Sequence, residues 1–76
     1  MLDKYSKIFS KNLKYLRKKH NMYQEELGSL IGISQQTVAS YENNSNADPR
    51  LSVLVKLSNL FNVSIDDLVK KDLSKE

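Results

Sequence analysis

Residues 24–41, QEELGSLIGISQQTVASY, predict two short helices joined by a tight turn. Three apolar residues of the first helix recur at helical spacing: Leu27, Leu30 and Ile31. Gly32 follows where a helix most often ends, because glycine tolerates the positive φ required just past the last turn. Ser34 then precedes the second helix, where its hydroxyl can accept a hydrogen bond from the unpaired N–H groups of the first turn. The spacing therefore predicts helices over 24–31 and 35–43.

The second helix is apolar on one edge and carries short polar side chains on its other side. Val38 and Tyr41 form the apolar edge. The other side consists of amides and hydroxyls, from Gln35, Gln36, Thr37 and Ser40. Because this row contains no hydrophobe, it suits the edges of base pairs in a major groove better than a protein core.

The composition favours one small helical domain over residues 1–76. The chain has no Cys and one His, which excludes disulfides, thiolate zinc sites and a multi-histidine catalytic centre. We expect no metal, no cofactor and no enzymatic activity. Two Gly and one Pro argue against a fold of many strands. No apolar run approaches the ~20 residues that span a bilayer, so we expect a cytoplasmic protein without a membrane partner.

The net charge of +3 is distributed unevenly along the chain. Residues 1–22 carry seven Lys or Arg against one acid, whereas Tyr23 to Pro49 contains no Lys or Arg. A basic protein is a candidate for a polyanionic partner. A stripe of lysines follows one side of the first helix. We interpret this stripe as a solvated face in preference to a surface that attracts phosphate. The stripe consists of Lys4, Lys7, Lys11, Lys14 and Lys18.

Periodicity and cap residues predict five helices, over about 4–19, 24–31, 35–43, 51–61 and 65–71. Asp48 or Pro49 is expected at the start of the fourth helix. Ser64 is expected to cap the fifth, in an S-x-x-D sequence that resembles a capping box. Residues 43–49 are a loop by composition, and a frayed tail is expected over 72–76.

These features together resemble the Cro/phage-repressor (XRE-type) helix-turn-helix family, over about residues 8–68. The small and apolar positions of that motif are matched by Leu27, Gly28, Gly32, Ile33, Val38 and Tyr41. The resemblance implies an all-α fold, a compact five-helix bundle of the lambda-repressor-like type. It also implies a bacterial or phage-encoded transcriptional regulator, expected to be a repressor, that binds double-stranded DNA as a homodimer on a pseudo-palindromic operator.

The resemblance assigns contacts with the bases to the helix over 35–43. Gln35, Gln36 and Ser40 match the base-reading positions, and Thr37 is expected to contact a thymine methyl or a phosphate. Within the same motif, Arg17 and Glu42 match a structural ion pair between the first and third helices.

Contacts with the DNA backbone are implied around this helix. Gln24 matches a residue that contacts a phosphate and braces Gln35. Further phosphate contacts are expected from Tyr23, Asn43 and Asn44. Arg50 matches a position that enters the minor groove in some repressors, and a solvated Arg at the start of the fourth helix is an equal alternative.

Three positions depart from the family pattern. Tyr23 replaces the usual Thr or Ser cap, so the helix over 24–31 lacks a capping hydroxyl. Gly28 replaces the usual Ala, which permits close approach of the helices but costs about 1 kcal/mol of helix propensity. The loop over 44–48 lacks the basic residues that many members place on the DNA backbone, which predicts a shallow salt dependence.

A protein-interaction module, such as an antitoxin or an antirepressor partner that kept the fold, is the alternative function. The missing positive charge around the helix over 35–43 favours this alternative. The absence of apolar anchors at Gln35, Gln36 and Ser40 argues against it. Adjacent acids at helix starts, such as Glu25 and Glu26, are better explained by the helix dipole than by acid–base catalysis.

The sequence leaves the dimer interface open. Leu60, Val69 and Leu73 predict either an apolar patch for pairing near the C-terminal end or the completion of the monomer core.

Overall fold

The structure is a computed structural model that describes residues 3–44 and 46–75. Its helices are α1 (Asp3–Lys19), α2 (Gln24–Ile31), α3 (Gln35–Asn43), α4 (Leu51–Phe61) and α5 (Ile65–Lys70), followed by a 3₁₀ turn over Leu73–Lys75. No β-strand occurs in these residues. The predicted all-α, five-helix fold is confirmed, and the helix bounds differ from the prediction by one residue at the start of α1 and the end of α5.

The first helix is central, because α1 packs against α3, α5 and the C-terminal turn. Its apolar face buries Phe9, Leu13 and Leu16. The Phe9 and Tyr41 rings meet edge to face, with centroids 5.9 Å apart. The other helices complete the core with Leu27, Ile31, Val38, Val53, Leu57, Phe61 and Leu68. This packing fixes one side of α3 against α1 and leaves the other side in solvent.

The turn between α2 and α3 forms as the sequence predicts. Gly32 has φ 77°, in the left-handed region, and ends α2. The Ser34 hydroxyl accepts a hydrogen bond from the Thr37 N–H at 3.1 Å and so caps α3. Gly28 allows the close approach, because a Cβ there would lie 2.6 Å from the Ile33 carbonyl oxygen. Two helices are thereby held at a fixed angle by local backbone contacts.

Buried polar side chains of α1 hold the loop after α3. The Ser6 hydroxyl donates to the Ala47 carbonyl at 2.7 Å, and the Ser10 hydroxyl donates to the Asn44 carbonyl at 2.9 Å. Because each hydroxyl donates to a loop carbonyl, neither is left buried without a hydrogen-bond partner. The loop that leads from α3 to α4 is therefore positioned by α1.

The tail that is expected to fray, over 72–76, contacts α1 through Asp72 and Leu73, and Glu76 lies outside the described residues. Asn12 is fully buried and donates to the carbonyls of Leu68 (2.8 Å) and Lys71 (2.7 Å). Its Oδ1 accepts from the Leu73 N–H at 2.9 Å. Leu73 is buried, which favours the second alternative for this residue, completion of the monomer core. One side chain of α1 therefore holds both the end of α5 and the turn that follows.

Two smaller expectations are also corrected. The residue at the N-cap of α4 is Arg50, without a side-chain cap, and not Asp48 or Pro49. Leu30 shares the helical spacing of Leu27 and Ile31 but is 59% exposed, because α2 packs through Leu27 and its neighbour Gly28.

The lysine stripe of α1 is exposed, as expected of a solvated face. Lys11 also pairs with Asp72 at 2.9 Å. In the part of the chain that the structure describes, no helix has the length and apolarity needed to cross a bilayer.

Candidate nucleic-acid interface

The outward side of α3 carries a continuous polar row. Gln36, Ser40 and Asn43 are exposed and follow one another at i, i+4 and i+7, so they share one face of the helix. Gln35 is also exposed, at the first position of α3. Behind this row, Val38 is fully buried. The row therefore stands on a rigid support and presents amide and hydroxyl groups to solvent.

Thr37 lies at the edge of this row. It is half-buried, and its hydroxyl lies 2.9 Å from the Ser34 hydroxyl. Together with Tyr41 it lines a groove that faces α4. Its hydroxyl thus belongs to the cap of α3 and to this groove, on the α4 side of the polar row.

A hydrogen-bonded network beneath α3 joins three helices through Glu42. The Glu42 carboxylate accepts from Arg17 Nε at 2.7 Å and from Arg17 Nη2 at 3.0 Å. The Glu42 side chain is 1% exposed and that of Arg17 12%. The bond to the carboxylate is the main reason that the pKa of the Arg17 guanidinium lies above its ordinary value, against the opposing effect of burial. Arg17 also donates to the Met22 carbonyl at 2.8 Å.

Gln24 belongs to the same network. Its Nε2 donates to Glu42 Oε1 at 3.2 Å. The brace predicted by the resemblance, from Gln24 to Gln35, is thus replaced by a bond to Glu42, an acceptor that the ion pair already holds in place. The first side chain of α2 is therefore fixed relative to α3 through a buried carboxylate.

The other residues predicted to contact the DNA backbone differ in how exposed their side chains are and in the bonds that they already make. Tyr23 precedes α2 and is 78% exposed, and it makes no side-chain cap. Its backbone N–H donates to the Glu26 carboxylate at 3.0 Å. Asn43 is exposed, whereas the Asn44 side chain accepts from the Asn46 N–H at 2.9 Å and stabilises its own turn.

A groove of about 410 Å³ separates the turn and α3 from α4. Its walls include Ser34, Thr37 and Tyr41 on one side, and Arg50 and Lys56 on the other. Lys56 Nζ also donates to the Ile31 carbonyl, at 3.4 Å, at the end of α2. Two cations thus flank a helix whose own segment has none. Lys56 has no local signal in the sequence, because α4 brings it to this groove from 25 residues away.

Metal binding finds no support in residues 3–44 and 46–75, where no group of His, Asp and Glu side chains could hold an ion. The one His, His20, is exposed and lies against the Phe61 ring, with centroids 4.9 Å apart.

Comparison with known proteins identifies the motif. The profile of the helix-turn-helix family matches residues 13–68, which is most of the chain. An uncharacterized HTH-type transcriptional regulator of Methanocaldococcus jannaschii, MJ0272, is 39% identical over 56 residues, which cover 74% of this chain and 83% of that protein.

Two other relatives carry more specific names. The antitoxin PezA of Streptococcus pneumoniae is 36% identical over 69 residues, covering 86% of this chain and 40% of PezA. The cryptic phage CTXphi transcriptional repressor RstR of Vibrio cholerae is 32% identical over 62 residues, covering 82% of this chain and 55% of RstR. The chain thus spans about half the length of these two relatives. No solved structure matches the chain with significance.

Proposed function

The chain belongs to the helix-turn-helix family of transcriptional regulators, and on this premise we propose that it reads a specific double-stranded DNA sequence with α3. The observation that carries the proposal is the exposed row of Gln36, Ser40 and Asn43 on a helix whose opposite side is buried. A rigid helix with amides at its N-terminal end suits the major groove, where a glutamine can bond adenine N6 and N7 together.

Gln35 and Gln36 are the principal base-reading residues in this proposal, and Ser40 reads a base edge directly or through water. Thr37 reaches the flanking phosphate or a thymine methyl from the α4 side of the row. Gln24, fixed by Glu42, has a second amide hydrogen to donate to a phosphate. Arg50 and Lys56 supply the positive charge that α3 lacks.

We propose further that the protein acts as a homodimer and represses transcription. Two copies of α3 related by a two-fold axis would read two half-sites whose centres lie one helical turn apart, ~34–36 Å. The printed name of RstR, a transcriptional repressor that is similar over most of this chain, supports repression as the outcome of binding.

The direct test is the selection of bound sequences from random DNA, followed by titration of the selected duplex and a scrambled duplex at one salt concentration. We expect enrichment of two inverted half-sites and a clear preference for the selected duplex. Equal affinity for the two duplexes would contradict the proposal.

A substitution series assigns the roles. Gln36→Ala should reduce discrimination at one base pair by roughly 5- to 150-fold, the equivalent of ~1–3 kcal/mol for a bidentate contact. Lys14→Ala, on the exposed stripe of α1, is the matched control and should leave base preference unchanged. Indistinguishable profiles for the two variants would remove the proposed role of Gln36.

A protein-interaction function is the second candidate, supported by the similarity to the antitoxin PezA and by the lack of Lys and Arg between Tyr23 and Pro49. It predicts no retention on any duplex even at low salt, together with stable capture of one protein. The absence of an apolar anchor among the exposed residues of α3 favours DNA over this alternative.

A further inference from the structure

The groove between α3 and α4 has the dimensions of a small-molecule site. Its volume, about 410 Å³, lies within the range of about 300–1,000 Å³ that such sites occupy. Two buried apolar residues, Ile31 and Val53, line it together with the half-buried Ile33. The groove therefore offers apolar contact to the body of a ligand as well as polar groups.

Two cations at the groove have no anionic partner. In the part of the chain that the structure describes, neither Arg50 nor Lys56 pairs with an acid, and no Asp or Glu lines the groove. Lys56 Nζ donates to the Ile31 carbonyl at 3.4 Å, which engages one of its three N–H groups. The ammonium group thus lies at the groove with two N–H groups left to donate.

Hydroxyl groups supply further donors. The Ser34 and Thr37 hydroxyls lie 2.9 Å apart, and one of their two hydrogens suffices for the bond between them. The second hydrogen is left for an acceptor in the groove. Tyr41 and Ser52 line the same groove and carry two more hydroxyls. A lining of cations and hydroxyls without a carboxylate favours an anion with several acceptor oxygens.

A phosphomonoester meets these requirements better than a carboxylate does. It carries roughly −1.5 to −2 charges at pH 7 and three acceptor oxygens, and the guanidinium of Arg50 can pair with it through two parallel bonds. The organic part of a small phosphate can also cover Ile33 and Val53. A phosphate of duplex DNA cannot do this, because it is linked to a sugar on each side and its bases are stacked inside the helix.

A ligand in this groove would compete with DNA. Thr37 and Arg50 line the groove, and the proposed function places both against the duplex. An anion held by Arg50 and Lys56 neutralises the charge that attracts a flanking DNA phosphate. Since the same two cations serve both partners, each partner lowers the affinity for the other.

We propose that the groove between α3 and α4 binds a small organic phosphate, and that this ligand releases the protein from DNA. The binding of the ligand depends on the groove alone, whereas the release rests on the proposed function. The regulatory site of this chain then lies beside its recognition helix, within the same small domain.

Phenyl phosphate is the probe for the first test, because it joins a phosphomonoester to an apolar ring. NMR titration of the chain without DNA, at constant ionic strength, measures its binding. We expect saturable shifts of the backbone amide signals of Ser34, Thr37, Ser52 and Lys56. Phenol, which has the ring without the charge, should give no saturable shift.

Two variants assign the binding to the groove. Lys56→Gln should weaken it at least ~10-fold, because a hydrogen bond to a charged group is lost. Ser52→Asp should weaken it as strongly through repulsion, and an acid in the first turn of α4 suits the helix dipole, so the fold is retained. Lys14→Gln is the matched control, since it removes the same charge from the exposed stripe of α1. Circular dichroism melting verifies that the variants fold.

Fluorescence anisotropy with the selected duplex tests the release from DNA. At constant ionic strength, phenyl phosphate at about ten times its dissociation constant should lower the affinity for the duplex at least ~10-fold, as direct competition requires. Phenol should not change this affinity. Saturable binding of phenyl phosphate with an unchanged DNA affinity would contradict the release.

The outcomes separate the ligand site from the proposed function. No saturable binding of phenyl phosphate, or equal weakening in Lys56→Gln and Lys14→Gln, would overturn the inference even if DNA selection succeeds. In that case the cations of the groove serve DNA phosphates alone. Saturable binding in the groove without a sequence preference on any duplex would instead refute the proposed function and leave the ligand site standing.

Discussion

At the scale of single residues, the angle between α2 and α3 depends on the missing side chain of Gly28. A Cβ at this position would meet the Ile33 carbonyl oxygen at 2.6 Å, a backbone atom that cannot rotate away. The N–H of the same residue, Ile33, donates to the Gly28 carbonyl at 2.9 Å. We therefore expect Gly28→Ala to lower the free energy of unfolding by ~1–3 kcal/mol, as overpacking does, although Ala favours a helix by about 1 kcal/mol over Gly.

Urea denaturation measures this loss, and Ser29→Ala is its control. Ser29 is the exposed neighbour of Gly28 in α2, so its substitution should leave stability unchanged or raise it by a few tenths of a kcal/mol. If Gly28→Ala were as stable as the unaltered protein or more stable, the turn would be able to relax around a Cβ. The turn would then not require glycine at this position.

The buried carboxylate of Glu42 gives a second prediction at this scale. Glu42→Ala removes the carboxylate partner of Arg17, whose side chain is only 12% exposed, and it removes the acceptor of Gln24. Breaking a buried pair costs about 3–5 kcal/mol, so this variant should be close to unfolded at room temperature. Gln24→Ala removes one hydrogen bond and should cost only about 1 kcal/mol. Chemical denaturation compares the two, and equal losses would contradict the central role of Glu42.

At the scale of elements, the helices that could be predicted are those whose ends are marked by neighbouring residues. Ser34 and Ser64 each accept from the N–H three residues later, and Gly32 takes the positive φ that its position predicts. The C-terminal turn could not be predicted in this way. Its stability comes from Asn12, 61 residues before Leu73, and a contact over that separation leaves no periodic signal.

The same turn has a predictable pH dependence. The Ser74 hydroxyl donates to the Asp72 carboxylate and Lys11 pairs with it, which together lower the pKa of Asp72 from 3.8 to about 2. A lowered pKa means that the folded state favours the charged form. This contribution to stability is therefore complete above pH 3.8 and is lost as the pH falls through about 2.

An NMR titration of the Asp72 carboxyl group measures this value. Lys11→Ala should raise the pKa of Asp72 only partly toward its ordinary value, because the bond from Ser74 is the larger cause. Lys14→Ala, on the same stripe, should not change it. An ordinary pKa in the unaltered protein would show that neither the bond from Ser74 nor the pairing with Lys11 persists in solution.

At the scale of the whole molecule, the outward row of α3 was predictable because amphipathic spacing is local, whereas the charge around it was not. The sequence places Lys and Arg outside 23–49, and the fold returns two of them to the groove beside α3. Arg50 is a candidate from the sequence, because it matches a position of the family that the chain resembles. Lys56 approaches from the middle of α4 and becomes a candidate only once α4 lies against the end of α2.

This arrangement predicts the salt dependence of DNA binding. Each neutralised phosphate contributes about −0.9 to the slope of log K against log salt, so two cations per subunit give a slope of about −4 for a dimer. Fluorescence anisotropy over a range of KCl concentrations measures it. Arg50→Ala and Lys56→Gln should each reduce the magnitude by about 2 for the dimer, with melting curves to verify that Lys56→Gln stays folded. Lys14→Ala is the control, because the α1 stripe is expected to stay in solvent, and a far steeper slope that falls in Lys14→Ala would place that stripe on the DNA instead.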